Sequence, residues 1–312
     1  MVFLTAFNVL FPLFAKISLG YAVRHMGLLS EKTLREMNNL VFRLFLPLLL
    51  FSNIYKTDFS TITSYDLLWF AVLSLVVMFG SYMFLIPRVE QENHKRGVLV
   101  QAICRSNFIF FGIPMATTLY GGTSAGIASL MVGVVVPLVN MNSVIALEYF
   151  RGNTPNYPKI LRGIIVNPII IGGLLGLLCA FTGFKLPRFL EQFVFEIADI
   201  ATPLALIILG GSVTFTSMKT NLKPLLIGVF NRLVIVPAIG LTASILIGFR
   251  SVELVLLMSM FASPAAVSSY TMAQQMDGDA ELAGQLVVFT TAFSLVTLFF
   301  WISGLMAFGF IQ

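Results

Sequence analysis

The hydrophobic pattern of this chain consists of long apolar runs separated by short polar segments, and it predicts membrane-spanning helices. A helix needs about 20 largely apolar residues to cross a bilayer, and the sequence contains ten such segments. The second segment begins with polar residues, so we expect it to lie partly against other helices. The ten predicted spans are 4–23, 34–54, 67–86, 97–120, 125–150, 160–181, 189–213, 225–248, 252–275 and 282–308.

Two of the predicted spans contain residues that interrupt a helix. The fourth holds Gly112, Ile113 and Pro114, and the ninth holds Ser263 followed by Pro264. Proline has no N–H and crowds the carbonyl four residues before it, and a Ser-Pro pair is typical of a helix start. We therefore expect breaks at these two places. In lipid, the freed backbone groups need protein or water as partners, and two matched breaks indicate a transporter's binding site.

The proline spacing predicts an inverted repeat of two five-helix halves. Four proline pairs fall in matching spans when the first five spans are placed on the last five. They are Pro12 with Pro168 and Pro47 with Pro203, each 156 residues apart, and Pro87 with Pro237 and Pro114 with Pro264, each 150 apart. Because five is odd, a second copy must enter the membrane upside down. The turn-rich segment 152–156 divides the chain into 1–154 and 155–312.

Composition supports an all-α integral membrane protein. Of the 312 residues, 58% are hydrophobic and 11% are charged, whereas soluble domains have about 25% charged residues. Most of the basic residues behind the net charge of +5 lie in short loops, so they indicate membrane topology and not a nucleic-acid partner. The two cysteines lie in apolar runs and the two histidines lie alone, so we expect no disulfide, metal site or cofactor. The first residues have no basic start, so we expect no cleavable signal peptide.

The loop charges predict that both termini lie outside the cell, because inner loops are enriched in Lys and Arg. With that orientation eleven basic residues lie in inner loops and four in outer loops. The inner group is Arg24, Lys32, Arg35, Arg88, Lys95, Arg96, Arg151, Lys159, Arg162, Lys219 and Lys223. The outer group is Lys56, Lys185, Arg188 and Arg250.

A series of motifs runs nearly end to end along the chain. They are Asn38-Asn39-Leu40-Val41 and Leu46-Pro47 within 27–59, Arg105-Ser106-Asn107-Phe108 with Gly112-Ile113-Pro114, Asn167-Pro168, Leu209-Gly210-Gly211, Arg232 to Pro237, Ser263-Pro264, and Phe289 to Thr297. In this order they resemble the auxin efflux carrier family, which includes plant auxin exporters and bacterial permeases thought to move organic acids.

The resemblance implies a fold shared with bile acid sodium symporters. Spans one, two, six and seven would form a scaffold, often dimeric, and spans three to five and eight to ten a moving domain. The broken fourth and ninth helices would cross at the site. We accordingly expect a homodimer in a lipid bilayer, as a multi-pass protein of the bacterial inner (plasma) membrane.

The candidate substrate-binding residues surround the two expected breaks. A broken helix offers free N–H groups and a positive dipole end, which suit a carboxylate. A side-chain amide near the break would add a donor, although such amides also join helices. The candidates are Arg105, Asn107, Gly112, Ile113, Pro114, Asn140, Asn142, Ser263, Pro264 and Ser268.

Several roles remain open from the sequence. Arg105 either attracts an anion or pairs with an acid such as Asp199. Asp199 is either a proton carrier or the partner of Arg43 or Lys16 in a salt bridge. Gln274 could take part in ion or substrate binding, but no acid lies between 259 and 276, which argues against a sodium site of the symporter type.

We expect a secondary active transporter that moves a small organic anion, such as a carboxylate, by alternating access. The resemblance favours export. The alternative is a proton- or sodium-coupled importer of organic acids with the same fold. A channel would lack saturable counterflow. A membrane enzyme would need clustered His, Cys or carboxylates at a membrane face, which we do not find in the sequence.

Overall fold

The structure is a bundle of helices joined by short connections. The computed structural model describes residues 2–57, 65–121, 124–152, 157–212 and 218–311. Two short π-helical segments, π1 (Val41–Phe45) and π2 (Asn231–Ile235), lie within longer helical runs. The α-helices are α1 (Val2–His25), α2 (Glu31–Leu40), α3 (Leu46–Tyr55), α4 (Tyr65–Val89), α5 (Asn93–Cys104), α6 (Phe108–Tyr120), α7 (Ala125–Tyr149), α8 (Tyr157–Ile165), α9 (Pro168–Thr182), α10 (Arg188–Ser212), α11 (Met218–Phe230), α12 (Val236–Ile247), α13 (Ser251–Ala262), α14 (Ser268–Gln275) and α15 (Ala280–Ala307).

Each of the ten predicted apolar segments lies on one of these helices or on a consecutive group of them. Within the described residues, six helical runs are long and apolar enough to cross a membrane, and α8 with α9, bent by 54°, would make a seventh. The six are Glu31–Tyr55, Tyr65–Val89, Ala125–Tyr149, Arg188–Ser212, Thr220–Ile247 and Ala280–Ala307. The chain is therefore an all-α, multi-pass membrane protein, while the predicted boundary at 154/155 lies outside the described residues.

Glycines bring four of the helices into unusually close contact. A Cβ at Gly210 of α10 would collide with the carbonyl of Ile17 in α1, and Gly20 of α1 lies equally close to the backbone of α10. In the same way, a Cβ at Gly172 of α9 would collide with the carbonyl of Pro47 in α3. Small residues let membrane helices approach backbone to backbone. These contacts join α1 to α10 and α3 to α9 at distances that no larger residue would allow.

The centre of the protein is formed by α5 and α13. Residues 97–104 of α5 and 254–262 of α13 are all buried. Both helices stop inside the protein, and the chain continues through 105–107 to α6 and through 263–267 to α14. The non-helical backbone is thus enclosed by protein, as it must be at membrane depth.

Candidate functional site

The two helix breaks cross each other as a short antiparallel pair. The backbone N–H of Asn107 donates to the carbonyl of Pro264 over 2.8 Å, and that of Ala266 donates to the carbonyl of Arg105 over 3.2 Å. These bonds place Ser106 opposite Ala265. At each break, backbone groups lose their helical hydrogen-bond partners and find new ones in the other break. The cost of burying these groups unpaired is thereby avoided.

The predicted position of the first break is wrong. Gly112, Ile113 and Pro114 lie inside α6, and the chain leaves the helix earlier, at 105–107. Pro114 lies in the second turn of α6, where it removes one hydrogen bond without ending the helix. The earlier break prevails because its backbone groups bond to those of the other break. Gly112 packs against the ring of Phe108, and the side chain of Ile113 lies outside the described part of the chain.

The second break lies where the sequence predicts it, but the helix after it begins later than expected. Ser263 has extended backbone angles and ends α13, Pro264 lies in the crossing itself, and α14 begins at Ser268. Proline disfavours the helical conformation of the residue before it. The Ser-Pro pair therefore ends one helix and does not begin the next.

A cavity of about 380 Å³ lies at the crossing, and we call it the crossing cavity. It is lined by the crossing, by the first turns of α6 and α14, and by residues of α1, α3, α7 and α10. The first N–H groups of a helix have no partner within it, so two positive helix ends border this space. The polar or charged side chains among its lining residues are Lys16, Asn53, Arg105, Ser106, Asn107, Asn140, Asp199, Thr202 and Ser268.

Arg105 brings a positive charge to this cavity. It is only 4% exposed, and its Nη2 donates to Oδ1 of Asn140 over 2.7 Å, while Nη1 lies 3.5 Å from Oγ of Ser269. Nδ2 of Asn140 in turn donates to the carbonyl of Val136 over 2.7 Å. The partners of the guanidinium are therefore neutral, and among the described residues no carboxylate forms an ion pair with it.

Asn107 and Ser106 add polar groups that the surrounding protein leaves unsatisfied. Nδ2 of Asn107 and Oγ of Ser106 are buried, and neither has a hydrogen-bond partner among the described residues. Buried polar groups are nearly always paired in folded proteins. An amide nitrogen can only donate, so the unpaired group of Asn107 suits a ligand that accepts hydrogen bonds.

Asp199 also borders the crossing cavity. Its side chain is exposed, and it has no ion pair within 4.0 Å among the described residues. The salt bridge considered from the sequence, to Arg43 or Lys16, is therefore not formed. Lys16 lines the same cavity, although from the sequence we considered it only as a salt-bridge partner.

The remaining candidates lie elsewhere. Asn142 is as buried as Asn140, at 6% exposure, but only Asn140 borders the crossing cavity. Ser263 and Pro264 form the crossing without lining the cavity. Gln274 borders another cavity, of about 260 Å³, which we call the second cavity; it is also lined by Arg24, Ser212 and Tyr270.

Comparison with known proteins gives similarity along nearly the whole chain. A family model described as membrane transport protein matches residues 5–302. An uncharacterized transporter of Methanocaldococcus jannaschii is 24% identical over 297 residues, which cover 91% of this chain and 94% of that protein. A Rhizobium meliloti protein named "Putative malonate transporter" is 23% identical over 294 residues, which cover 92% of this chain and 91% of that protein.

Proposed function

We propose, on the premise that the chain belongs to the membrane transport protein family, that it is a secondary active carrier of a small organic anion. The observation that carries this proposal is the chemistry of the crossing cavity. Asn107 offers a buried donor that has no partner among the described residues, and Arg105 offers a cation held only by neutral groups in the described structure. Together with two helix N-termini, these groups suit a carboxylate.

The substrate class that fits best is a short carboxylate. A cavity of about 380 Å³ is at the lower end of the range for small-molecule sites, about 300–1,000 Å³. Lys16 also lines this cavity and would pair with a second acidic group of the substrate. The Rhizobium meliloti relative is named for malonate, a three-carbon dicarboxylate, so malonate is the first compound to test.

The proposed architecture is ten membrane spans arranged as two inverted five-helix halves, 1–154 and 155–312. The glycine contacts that join α1 to α10 and α3 to α9 support a fixed scaffold made from spans one, two, six and seven. Spans three to five and eight to ten would move as the second unit and carry the crossing, in an elevator-like motion. A homodimer, with both termini outside the bacterial plasma membrane, completes this proposal.

Two separate cavities support alternating access. On α1, Lys16 borders the crossing cavity and Arg24 the second cavity. On α10, Ala205 and Ser212 border the same two spaces. At 1.5 Å per residue, the bordering residues lie about 10–12 Å apart along each of these two helices. We interpret them as two ends of one pathway that is closed between them.

A second candidate is a proton-coupled importer of the same substrate class. It is favoured by Asp199, a carboxylate that borders the crossing cavity without an ion-pair partner among the described residues. Such a group could take up a proton together with the substrate, as acidic residues do in other transporters.

The test is counterflow of radiolabelled malonate in proteoliposomes that contain the purified protein. We expect saturable uptake when unlabelled malonate is inside, and none in protein-free vesicles. Collapsing the proton gradient, the sodium gradient and the membrane potential in turn separates the two candidates. If neither malonate nor a panel of short mono- and dicarboxylates shows saturable exchange, the carrier proposal is wrong.

A further inference from the structure

Arg232 is a cation enclosed completely by protein. Its side chain is 0% exposed and it lies on π2, in the interior of the bundle. Nε donates to the carbonyl of Ser263 over 2.8 Å, Nη1 to that of Ile103 over 2.8 Å, and Nη2 to that of Met260 over 2.9 Å. Each of the three guanidinium nitrogens thus donates to a main-chain oxygen.

The three carbonyls belong to the ends of both broken helices. Ile103 lies in the last turn of α5, Met260 lies in the last turn of α13, and Ser263 is the residue at which α13 ends. The final carbonyls of a helix have no partner within it and carry the negative end of its dipole. One guanidinium therefore neutralises two negative helix ends and joins them. Its rigid, planar set of donors suits this task in a way that the single ammonium of lysine does not.

The segment that carries Arg232 is itself held on two sides. Tyr82 of α4 donates through its hydroxyl to Oδ1 of Asn231 over 2.8 Å. Nε1 of Trp301 in α15 donates to the carbonyl of Leu233 over 3.1 Å. These bonds flank Arg232 directly and anchor it to two further helices, so its position is fixed independently of α5 and α13.

The carbonyls that Arg232 binds lie only a few residues from the crossing cavity. Ile103 is two residues from Arg105 and four from Asn107, and Ser263 is five residues from Ser268. A small rotation at the end of either helix would therefore displace the polar groups that border the cavity. Such groups lose binding energy steeply when they are misplaced by about 1 Å.

We infer that Arg232 is a positioning residue for the anion site. It holds the ends of α5 and α13 in one register, so that Arg105, Asn107 and the first turn of α14 face the same cavity. This inference rests on the proposed function of that cavity, and it assigns Arg232 no contact with the substrate.

The first test compares malonate transport by Arg232→Gln and Arg232→Lys in proteoliposomes. We expect Arg232→Gln to raise KM at least tenfold. Arg232→Lys should raise KM less, because lysine keeps the positive charge but lacks the planar set of guanidinium donors. The matched control is Arg250→Gln. Arg250 also donates to carbonyls at a helix end, those of Ile245 and Phe249 at 3.0 and 2.7 Å, but it is exposed and does not line the cavity. We expect the Arg250→Gln variant to have the KM of the wild type.

The second test does not depend on transport. Ser106→Cys and Ala265→Cys, at positions that face each other across the crossing, are combined with Cys104→Ser and Cys179→Ser. We expect rapid disulfide formation on oxidation when Arg232 is present, and a rate several-fold lower with Arg232→Lys or Arg232→Gln.

The outcomes separate this inference from the proposed function. Unchanged cross-linking in both Arg232 variants overturns the positioning role, whether or not the wild type moves malonate. A lower maximal rate with unchanged KM would mean that Arg232 is only structural, which also overturns it. If the wild type moves no organic acid, the proposed function fails while the cross-linking rates still decide the role of Arg232. If Arg232→Gln does not fold, Arg232→Lys decides both tests.

Discussion

Nδ2 of Asn38 donates to Oε1 of Gln274 over 2.6 Å and thereby joins α2 to α14. Nε2 of Gln274 donates in turn to the hydroxyl of Tyr270 over 3.0 Å. Tyr270 and Gln274 border the second cavity, while Ser268 on the same helix borders the crossing cavity. These hydrogen bonds therefore hold α2 against α14, whose residues border both spaces.

We predict that Asn38→Ala weakens the contact between α2 and α14 and thereby the closure between the two cavities. A lost neutral hydrogen bond is equivalent to about 1 kcal/mol, or about a fivefold change in an equilibrium constant. Ser268→Cys, in a background with Cys104→Ser and Cys179→Ser, should react several-fold faster with a membrane-impermeant thiol reagent added on the side of the second cavity. Gln192→Ala is the control, because within the described part of the chain its amide donates to the exposed Glu196, over 2.8 Å, and it lines neither cavity. Equal labelling of Asn38→Ala and the control would show that Asn38 does not hold the closure.

We predict that Asn107→Ala impairs transport without impairing folding. A hydrogen bond to a charged group is equivalent to about 1.5–3 kcal/mol, so kcat/KM for malonate should fall about 10- to 100-fold. The thermal unfolding temperature should change little, because Nδ2 of Asn107 has no protein partner to lose among the described residues.

The control for Asn107→Ala is Asn142→Ala, which removes a similarly buried amide that does not line the crossing cavity. We expect it to transport at the wild-type rate. Unchanged transport by Asn107→Ala would remove Asn107 from the site.

We predict that Arg105 and Asn140 act as a unit. Because Nη2 of Arg105 donates to Asn140 over 2.7 Å, Asn140→Ala should let the guanidinium turn away from its position and should raise KM for malonate severalfold. Residues that share one hydrogen bond show non-additive effects. The double variant Arg105→Gln with Asn140→Ala should therefore have about the same kcat/KM as Arg105→Gln alone. Strictly additive losses would show that Asn140 does not position Arg105.

We predict that Gly210→Ala destabilises the protein. Its Cβ would meet the carbonyl of Ile17, and overpacking of this kind costs about 1–3 kcal/mol. The unfolding temperature in detergent should fall by several degrees. Gly80→Ala is the control, since a Cβ there meets no atom within 4 Å and alanine is the better helix former by about 0.5–1 kcal/mol. An equal effect of both changes would contradict the close approach of α1 and α10.

The hydrophobic pattern predicts the all-α membrane fold, because long apolar runs leave the chain in lipid few alternatives to helix. The motifs likewise predict the family, which the match over residues 5–302 confirms. The first break is misplaced because Pro114 is a strong local signal, whereas the actual break depends on backbone partners more than 150 residues away. Local sequence carries no record of such partners.

The choice between Asn140 and Asn142 could not be made from the sequence either. Two residues that are two positions apart on a helix point about 200° apart, so only one of them faces a given cavity. Most of α7 is apolar and much of it is buried, so its pattern does not specify its rotation. The role of Arg232 could not be predicted from the sequence for another reason, because its partners are main-chain carbonyls, which every residue has. Lys16 could have been predicted as a site residue, because a lysine inside a membrane span is itself a functional signal.

The antiparallel pairing of Ser106 with Ala265 also sets an order of events during synthesis. The first half of the chain enters the bilayer with backbone groups at 105–107 whose partners are still to be translated, about 160 residues further on. Until residues 264–266 are inserted, water or the insertion machinery must supply partners for these backbone groups. Completion of the crossing is therefore a late step of biogenesis. A chain truncated before residue 264 should behave in the cell as an incompletely folded protein.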